Sequence, residues 1–332
     1  MSKLIVIIGI TGVQGGSVAS HFSTLPEWTI RGITRSPTSP TASSLTTRGI
    51  PITTANLKDP STLISAFAGA HTIFSTTDFY APFHDPHTQA LLREGQSINE
   101  YCYEQELAQA KNVADAAART EGLQRLVVSS LCDASEWSGG RYTGVFHFDA
   151  KARAVRYVRD VYPELAAKMS VVQVGSYLSN WQGNLGIWKG QGGAVYLSVI
   201  QGTGTQQRPQ TNVPKDLGRI VHAVLQVAPG KNILGASFSM SWTEQFKSWC
   251  ELNGLKYGGL HEITLEQFEK FIPIPGLGRE IGEMMLFERD FGYDGGDPSV
   301  VLPGDLGVDC PLTSWEEYVK NEDWSEVLRK LK

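Results

Sequence analysis

The first forty residues alternate between uninterrupted apolar runs and short polar or glycine-rich breaks. Leu4-Ile5-Val6-Ile7-Ile8 is β-branched and uncharged, the pattern of a central parallel strand covered on both faces. Gly9-Ile10-Thr11-Gly12-Val13-Gln14-Gly15-Gly16 follows; Ser17 to Leu25 then reads as a helix closed by Pro26, and Trp28 to Thr34 as a second strand. The rhythm repeats, with strands predicted over 50–54, 71–76, 125–130 and 170–174 and helices over 61–68, 104–120 and 148–160. Strands alternating with helices predict an α/β fold with a doubly wound parallel sheet of Rossmann type.

After about residue 175 glycine, proline and tryptophan become frequent, and helices are predicted only over 214–227 and 243–252. The expected division is a nucleotide-binding Rossmann domain over 1–175 and a smaller mixed α/β substrate-pocket lobe over 176–332, some of it returning to the sheet. The lobe would cover the sheet's carboxyl edge, where open α/β sheets bind ligands. No linker separates the two, so one continuous body is expected. Ser36 to Thr47, rich in Ser, Thr and Pro, reads as a loop.

Composition narrows the class. With 332 residues the chain can bury an ample core, and its 29 basic against 34 acidic side chains leave it mildly acidic, without the basic face that nucleic acid requires. The apolar start is too short for a membrane span or a secretory signal. Cys102, Cys132, Cys250 and Cys310 form no CxxC pair, which argues against zinc and disulfides and for a reducing cytoplasm. His84-Asp85-Pro86-His87 holds two imidazoles, but Pro86 spoils their helical presentation, and no metal is expected.

Glycines 9, 12 and 15 form GxxGxxG between a strand and a helix. Such a turn lets backbone approach a pyrophosphate and offers it the free amides of a helix N-terminus; Gly9, Thr11, Gly12, Val13, Gln14 and Gly15 are the candidate binding residues. Gly16 is expected to let the helix pack close to the sheet. The second strand ends in Thr34-Arg35-Ser36, with no acid at its tip. An NAD site places a carboxylate there for the ribose, whereas Arg35 beside Thr34 and Ser36 suits a 2′-phosphate through forked hydrogen bonds. The predicted cofactor is NADP(H); a solvated surface charge is the alternative for Arg35.

These residues resemble the NmrA-like family of atypical short-chain dehydrogenases. The resemblance rests on Gly9 to Gly16, Thr34-Arg35, Val127-Val-Ser-Ser130, His147-Phe-Asp-Ala-Lys151, Pro214-Lys-Asp-Leu-Gly218 and Leu312-Thr-Ser-Trp-Glu-Glu-Tyr318, and spans nearly the whole chain. It is most similar to the HSCARG-like branch, where the His-Phe-Asp-x-Lys segment is characteristic. The resemblance implies a Rossmann fold, NADP(H) binding and a pocket in a small C-terminal lobe. It places Asn56 and Leu57 by the adenine, Thr76 and Thr77 along the cofactor's middle, and Lys151 on the nicotinamide ribose. The family holds inactive regulators, redox sensors and genuine reductases.

Carbonyl reduction needs a proton donor besides the hydride. Ordinary short-chain dehydrogenases use Tyr-x-x-x-Lys on one helical face; here His147 stands at the tyrosine position and Lys151 at the lysine. An imidazolium can donate a proton, and a packing histidine is the alternative. Ser129 and Ser130 end a strand at the same edge, suited to a nicotinamide amide or a substrate carbonyl, or merely to backbone groups. Between Thr77 and the helix predicted from Glu104 lie about 25 residues, longer than usual for a connection. The segment carries Phe79, Tyr80 and Phe83. It reads as a lid or as an inert insertion, with Tyr80 a second candidate acid. Tyr177, Trp181 and Trp188 would line an apolar pocket or pack the lobe.

Three functions remain open. The first is an NADPH-dependent reductase of a small aromatic or conjugated carbonyl or imine, in secondary metabolism. The second is a non-catalytic NADP(H) sensor or transcriptional co-regulator with a protein partner, which admits a nuclear location. The third is a non-redox isomerase or cyclase. A small-molecule substrate is expected, with neither nucleic acid nor membrane as partner, and monomer and homodimer both fit.

Overall fold

In a computed structural model, which describes residues 2–183 and 186–331, the chain builds one eight-stranded parallel sheet. Its strands are β1 (Lys3–Ile8), β2 (Trp28–Thr34), β3 (Ile52–Thr54), β4 (Thr72–Ser75), β5 (Arg125–Ser130) and β6 (Met169–Val174), joined by Asn232–Gly235 and Val300–Val301. Across the sheet the order is Val300–Val301, Asn232–Gly235, β6, β5, β4, β1, β2, β3, with every pairing parallel. This is the doubly wound Rossmann arrangement.

The continuous apolar run of β1 is explained by burial on both sides. Ile5 and Ile7 face one core with Val18, Phe22, Leu217 and Val221. Val6 and Ile8 face the other with Leu63, Phe67, Val113 and Val158. The helix Val213–Gln226 packs on the opening helix Val13–Phe22. A Cβ at Gly218 would lie 2.5 Å from the Ser17 carbonyl oxygen, so glycine permits this approach. The later residues therefore return beneath the sheet as well as forming a lobe. Two three-stranded sheets and an aromatic core of Trp181, Trp242, Phe246, Trp249, Trp315 and Trp324 make up that lobe.

Several expected boundaries shift. The opening helix begins at Val13, four residues before Ser17, because glycines 15 and 16 are tolerated inside its first turns. Within the expected loop 36–47, Pro40–Thr47 is helical, capped by the Ser39 side chain on the Ala42 amide. The long helix runs Ile98–Ala118, starting six residues before Glu104. A reciprocal Ser97–Glu100 capping box fixes that start, which shortens the preceding loop.

Candidate functional site

The strand order reverses where β1 lies between β2 and β4, the crevice where doubly wound sheets bind ligands. Gly9, leaving β1, has φ +66°, and the Thr76 methyl would lie 3.2 Å from a Cβ placed on it. A Cβ on Gly15 would come within 2.3 Å of the Gly9 carbonyl oxygen and 2.8 Å of the Ile10 Cα, so turn and helix touch backbone to backbone. Gly16 would meet only the Ile10 oxygen, at 3.6 Å. The close packing expected of Gly16 thus belongs to Gly15, because the helix starts earlier. Gly12 caps the helix without a side-chain hydrogen bond, and Gly12 and Val13 are exposed, with Thr11 half-buried beside them. First-turn amides lack intrahelical acceptors and carry the positive end of the helix dipole, so an anion is favoured here.

Around this turn stand the other candidate binding residues. Arg35 is exposed beyond β2, unlike Arg31, whose guanidinium is committed to the carbonyls of Ala66 (2.9 Å) and Ala68 (2.7 Å). Thr34 Oγ1 accepts the Ser36 amide at 3.2 Å and shapes the bend at Arg35. Asn56 Oδ1 accepts the Lys58 amide at 3.0 Å, and the Leu57 carbonyl accepts from Asn112 at 2.8 Å. Gln14 donates to the Tyr177 hydroxyl at 2.7 Å, which ties the opening helix to the chain just beyond β6.

Thr77, next to the Thr76 that adjoins Gly9, meets the helix Phe146–Val161. His147 and Lys151, four residues apart, share a face. Lys151 Nζ donates to the Thr77 carbonyl and hydroxyl oxygens, both at 3.3 Å, and to Glu106. The Thr77 hydroxyl in turn donates to Glu106 at 2.7 Å. His147 is buried, its Nδ1 held by Glu280, which also accepts the His147 amide at 3.1 Å. A carboxylate at Nδ1 fixes the ring's orientation and keeps a proton on that nitrogen.

Glu280 was not foreseen. It lies on the helix Leu277–Phe291, absent from the sequence reading. The break Pro275-Gly276 followed by apolar Leu277, Ile281, Met284 and Met285 at helical spacing was the available signal. Its pairing with a residue 133 positions earlier has no local signature.

The aromatic segment packs against His147. Tyr80 lies 5.3 Å from Phe79, 6.4 Å from Phe83 and 5.5 Å from the His147 ring, centroid to centroid. Burial, then the charges of Glu280 and Glu106, push the Tyr80 phenol well above its usual value. Ser129 and Ser130 are buried at the end of β5, Ser130 donating to the Leu131 carbonyl at 3.3 Å. Trp181 lies elsewhere: it packs inside the lobe core, 5.5 Å from Trp242 and 5.1 Å from Trp315. Trp188 is exposed and stacks on Tyr196 at 4.7 Å.

The NmrA-like family model matches residues 1–327. The chain belongs to the NmrA-like family. This NmrA-like chain is 25% identical over 288 residues to the "NmrA-like family domain-containing oxidoreductase FrzB" of Cladobotryum sp, covering 82% of this chain and 79% of that one. It is 26% identical to the oxidoreductase ptmS of Penicillium ochrochloron, over 75% and 71% of the two chains. Among solved structures, NmrA, a negative transcriptional regulator in complex with NAD, superposes with a TM-score of 0.72 at 17% identity, covering 100% and 98%. Citrobacter sp. triphenylmethane reductase complexed with NADP(H) gives 0.65 at 17%, covering 96% and 99%. At such identity the likeness establishes the fold.

Within this NmrA-like site, Asp149 braces the helix that carries His147 and Lys151. It accepts the Ser135 amide at 3.1 Å and the Ser135 hydroxyl, which anchors the short helix Ala134–Trp137 that follows β5. Burial pushes its carboxyl up to about 6 against the opposing pull of the Ser135 bonds. No helix among the described residues is long and apolar enough to cross a membrane.

Proposed function

We propose that this protein is an NADPH-dependent oxidoreductase that reduces a small aromatic or conjugated carbonyl or imine in secondary metabolism. The observation that carries this reading is the meeting, at the strand-order reversal, of an uncapped helix N-terminus with a half-buried Lys151–Thr77–Glu106 cluster. Relatives named as oxidoreductases match most of the chain, and NADP(H) and NAD occupy solved structures of this fold. The residues present suit the dinucleotide. The exposed first-turn amides fit its pyrophosphate, Arg35 lies free for a 2′-phosphate, and Gln14 Oε1 is a buried acceptor without a partner.

Bound NADPH supplies a hydride. The chain's own groups do the rest. Arg35, Thr34 and Ser36 hold the adenosine phosphate, Asn56 and Leu57 flank the adenine, and Gly9, Thr11, Gly12, Val13, Gln14 and Gly15 hold the pyrophosphate. Thr76 and Thr77 line the middle, Lys151 holds the nicotinamide ribose, and Ser129 orients the amide. Phe79, Tyr80, Phe83, Ser130 and Tyr177 bound the substrate and exclude water. His147, oriented by Glu280, presents its other ring nitrogen as proton donor; Tyr80, its phenol kept protonated, is the second candidate. Fluorescence titration with NADPH and a screen of carbonyls and imines for NADPH oxidation test this. Turnover lost in Lys151→Ala supports it; absence of NADPH binding sinks it.

A second reading, an NADP(H)-sensing co-regulator, is favoured by His147 standing where a dehydrogenase has tyrosine. A partner protein whose affinity follows the NADPH/NADP+ ratio, in a chain without turnover, would establish that reading instead.

A further inference from the structure

The wall behind the proposed substrate position carries more acidic groups than basic ones. Glu106 and Glu280 are each 1% exposed, and the second oxygen of each is buried without a hydrogen-bond partner. Asp78 stands at the start of the aromatic segment, its Oδ1 accepting the Tyr80 amide at 3.0 Å. Against these three carboxyl groups stand one ammonium, Lys151, and one imidazole, His147, so acidic groups outnumber basic ones here. Two neighbouring groups register it. Besides burial, Glu280 and Glu106 raise the Tyr80 phenol, and Glu106, Glu280 and Asp78 help push the Cys102 thiol up to about 12.

The His147 ring that contacts Glu280 also belongs to an aromatic cluster. Phe79, Tyr80, Phe83 and the His147 ring form one cluster, with centroids 5.3 to 6.4 Å apart. Rings of this kind attract cations through their quadrupoles, more strongly when water is excluded. Buried carboxylates with free lone pairs attract them too, and repel carboxylates and phenolates.

We infer that the substrate is a cationic conjugated C=N group, an iminium ion or protonated imine, held between the Phe79, Tyr80 and Phe83 rings and the carboxylates of Glu106 and Glu280. This rests on the reductase reading above. The chemistry balances without a proton donor: hydride forms the new C–H bond, and the C=N π pair moves onto nitrogen. The positive charge is thereby quenched as NADPH becomes NADP+. A ketone would leave an alkoxide needing a proton, the task for which His147 replaces the usual tyrosine. An iminium needs none: the amine leaves hydride transfer uncharged and takes a proton from water only afterwards.

The test is a charge series at constant shape. With the NADP+-loaded protein, calorimetry compares N-methylisoquinolinium, uncharged N-methylisoquinolone and anionic 2-naphthoate. Turnover with NADPH compares N-methyl-3,4-dihydroisoquinolinium with α-tetralone. Expected are at least tenfold tighter binding of the cation than of the neutral probe and a matching preference in kcat/KM. Glu280→Gln should weaken the cation tenfold while leaving the neutral probe within twofold. Asp78→Asn, at an exposed position that leaves the core intact, should weaken it severalfold. Equal or tighter binding of the neutral or anionic probe overturns the inference. So does a cation affinity unchanged by both variants. NADPH binding without charge preference removes this inference alone, whereas no NADPH binding removes the reductase reading.

Discussion

The two sides of the site are built by different means. The nucleotide edge is made of backbone: a left-handed glycine, a helix start without a side-chain cap, and one free arginine. The opposing wall is made of side-chain pairs on buried carboxyl groups, Lys151 with Glu106 and His147 with Glu280. The first depends on residues within a few positions of one another. The second depends on partners 45 and 133 positions apart. One side should therefore fail through sterics and the other through unpaired charge.

Lys151→Met is the sharpest way to separate them. It leaves Glu106, 1% exposed, without its cation, and breaking such a pair costs about 3–5 kcal/mol. Urea unfolding should show that loss, and turnover should vanish with it. Lys151→Met combined with Glu106→Gln should recover most of the stability and none of the activity. A stable single variant would mean that the wall is not held by its charges.

Gly15→Ala attacks the backbone side. Its methyl must fit 2.3 Å from the Gly9 oxygen, a collision between backbones that costs about 2–3 kcal/mol and should weaken NADPH by a hundredfold or more. Gly16→Ala, with 3.6 Å available, should leave both unchanged. Equal effects at the two glycines would erase the distinction between them.

Arg35→Ala removes a charge-assisted contact worth about 1.5–3 kcal/mol. Affinity for NADPH should fall ten- to hundredfold while NADH is unaffected. Unchanged discrimination would return Arg35 to the role of a solvated surface charge.

The same contrast explains what could be read from the sequence. β2 and β5 begin and end at the expected residues, since both carry apolar positions and are bounded by breaks, and the family resemblance holds across the chain. Periodicity and glycine spacing are local properties. The start of the long helix was legible too, in Ser97 and Glu100, but an apolar-periodicity reading passes over a capping box that precedes a mixed sequence. Glu280 could not be connected to His147, because the fold alone sets that distance. Trp181 illustrates the reverse: an aromatic near a predicted pocket belongs by burial to the lobe core, and residue type does not separate the two.

The smallest effect concerns the brace between these regions. Asp149 is buried, and its carboxyl is raised from 3.8 to about 6. The folded state therefore holds this proton more tightly than the unfolded chain. Below the unfolded value both states are protonated and the group costs nothing. Between the two values the unfolded chain ionises while the folded state keeps its proton, so this contribution to stability falls across that window and stays lost above it. Asparagine cannot ionise, yet it still offers one oxygen to the Ser135 amide. Asp149→Asn should flatten the fall between pH 4 and 6, a difference of about 2 kcal/mol across that interval. Urea midpoints measured at pH 4 and pH 6.5 check this. If the wild type gains stability over that interval relative to the variant, the carboxylate form is the one the fold prefers, and the Ser135 bonds outweigh burial.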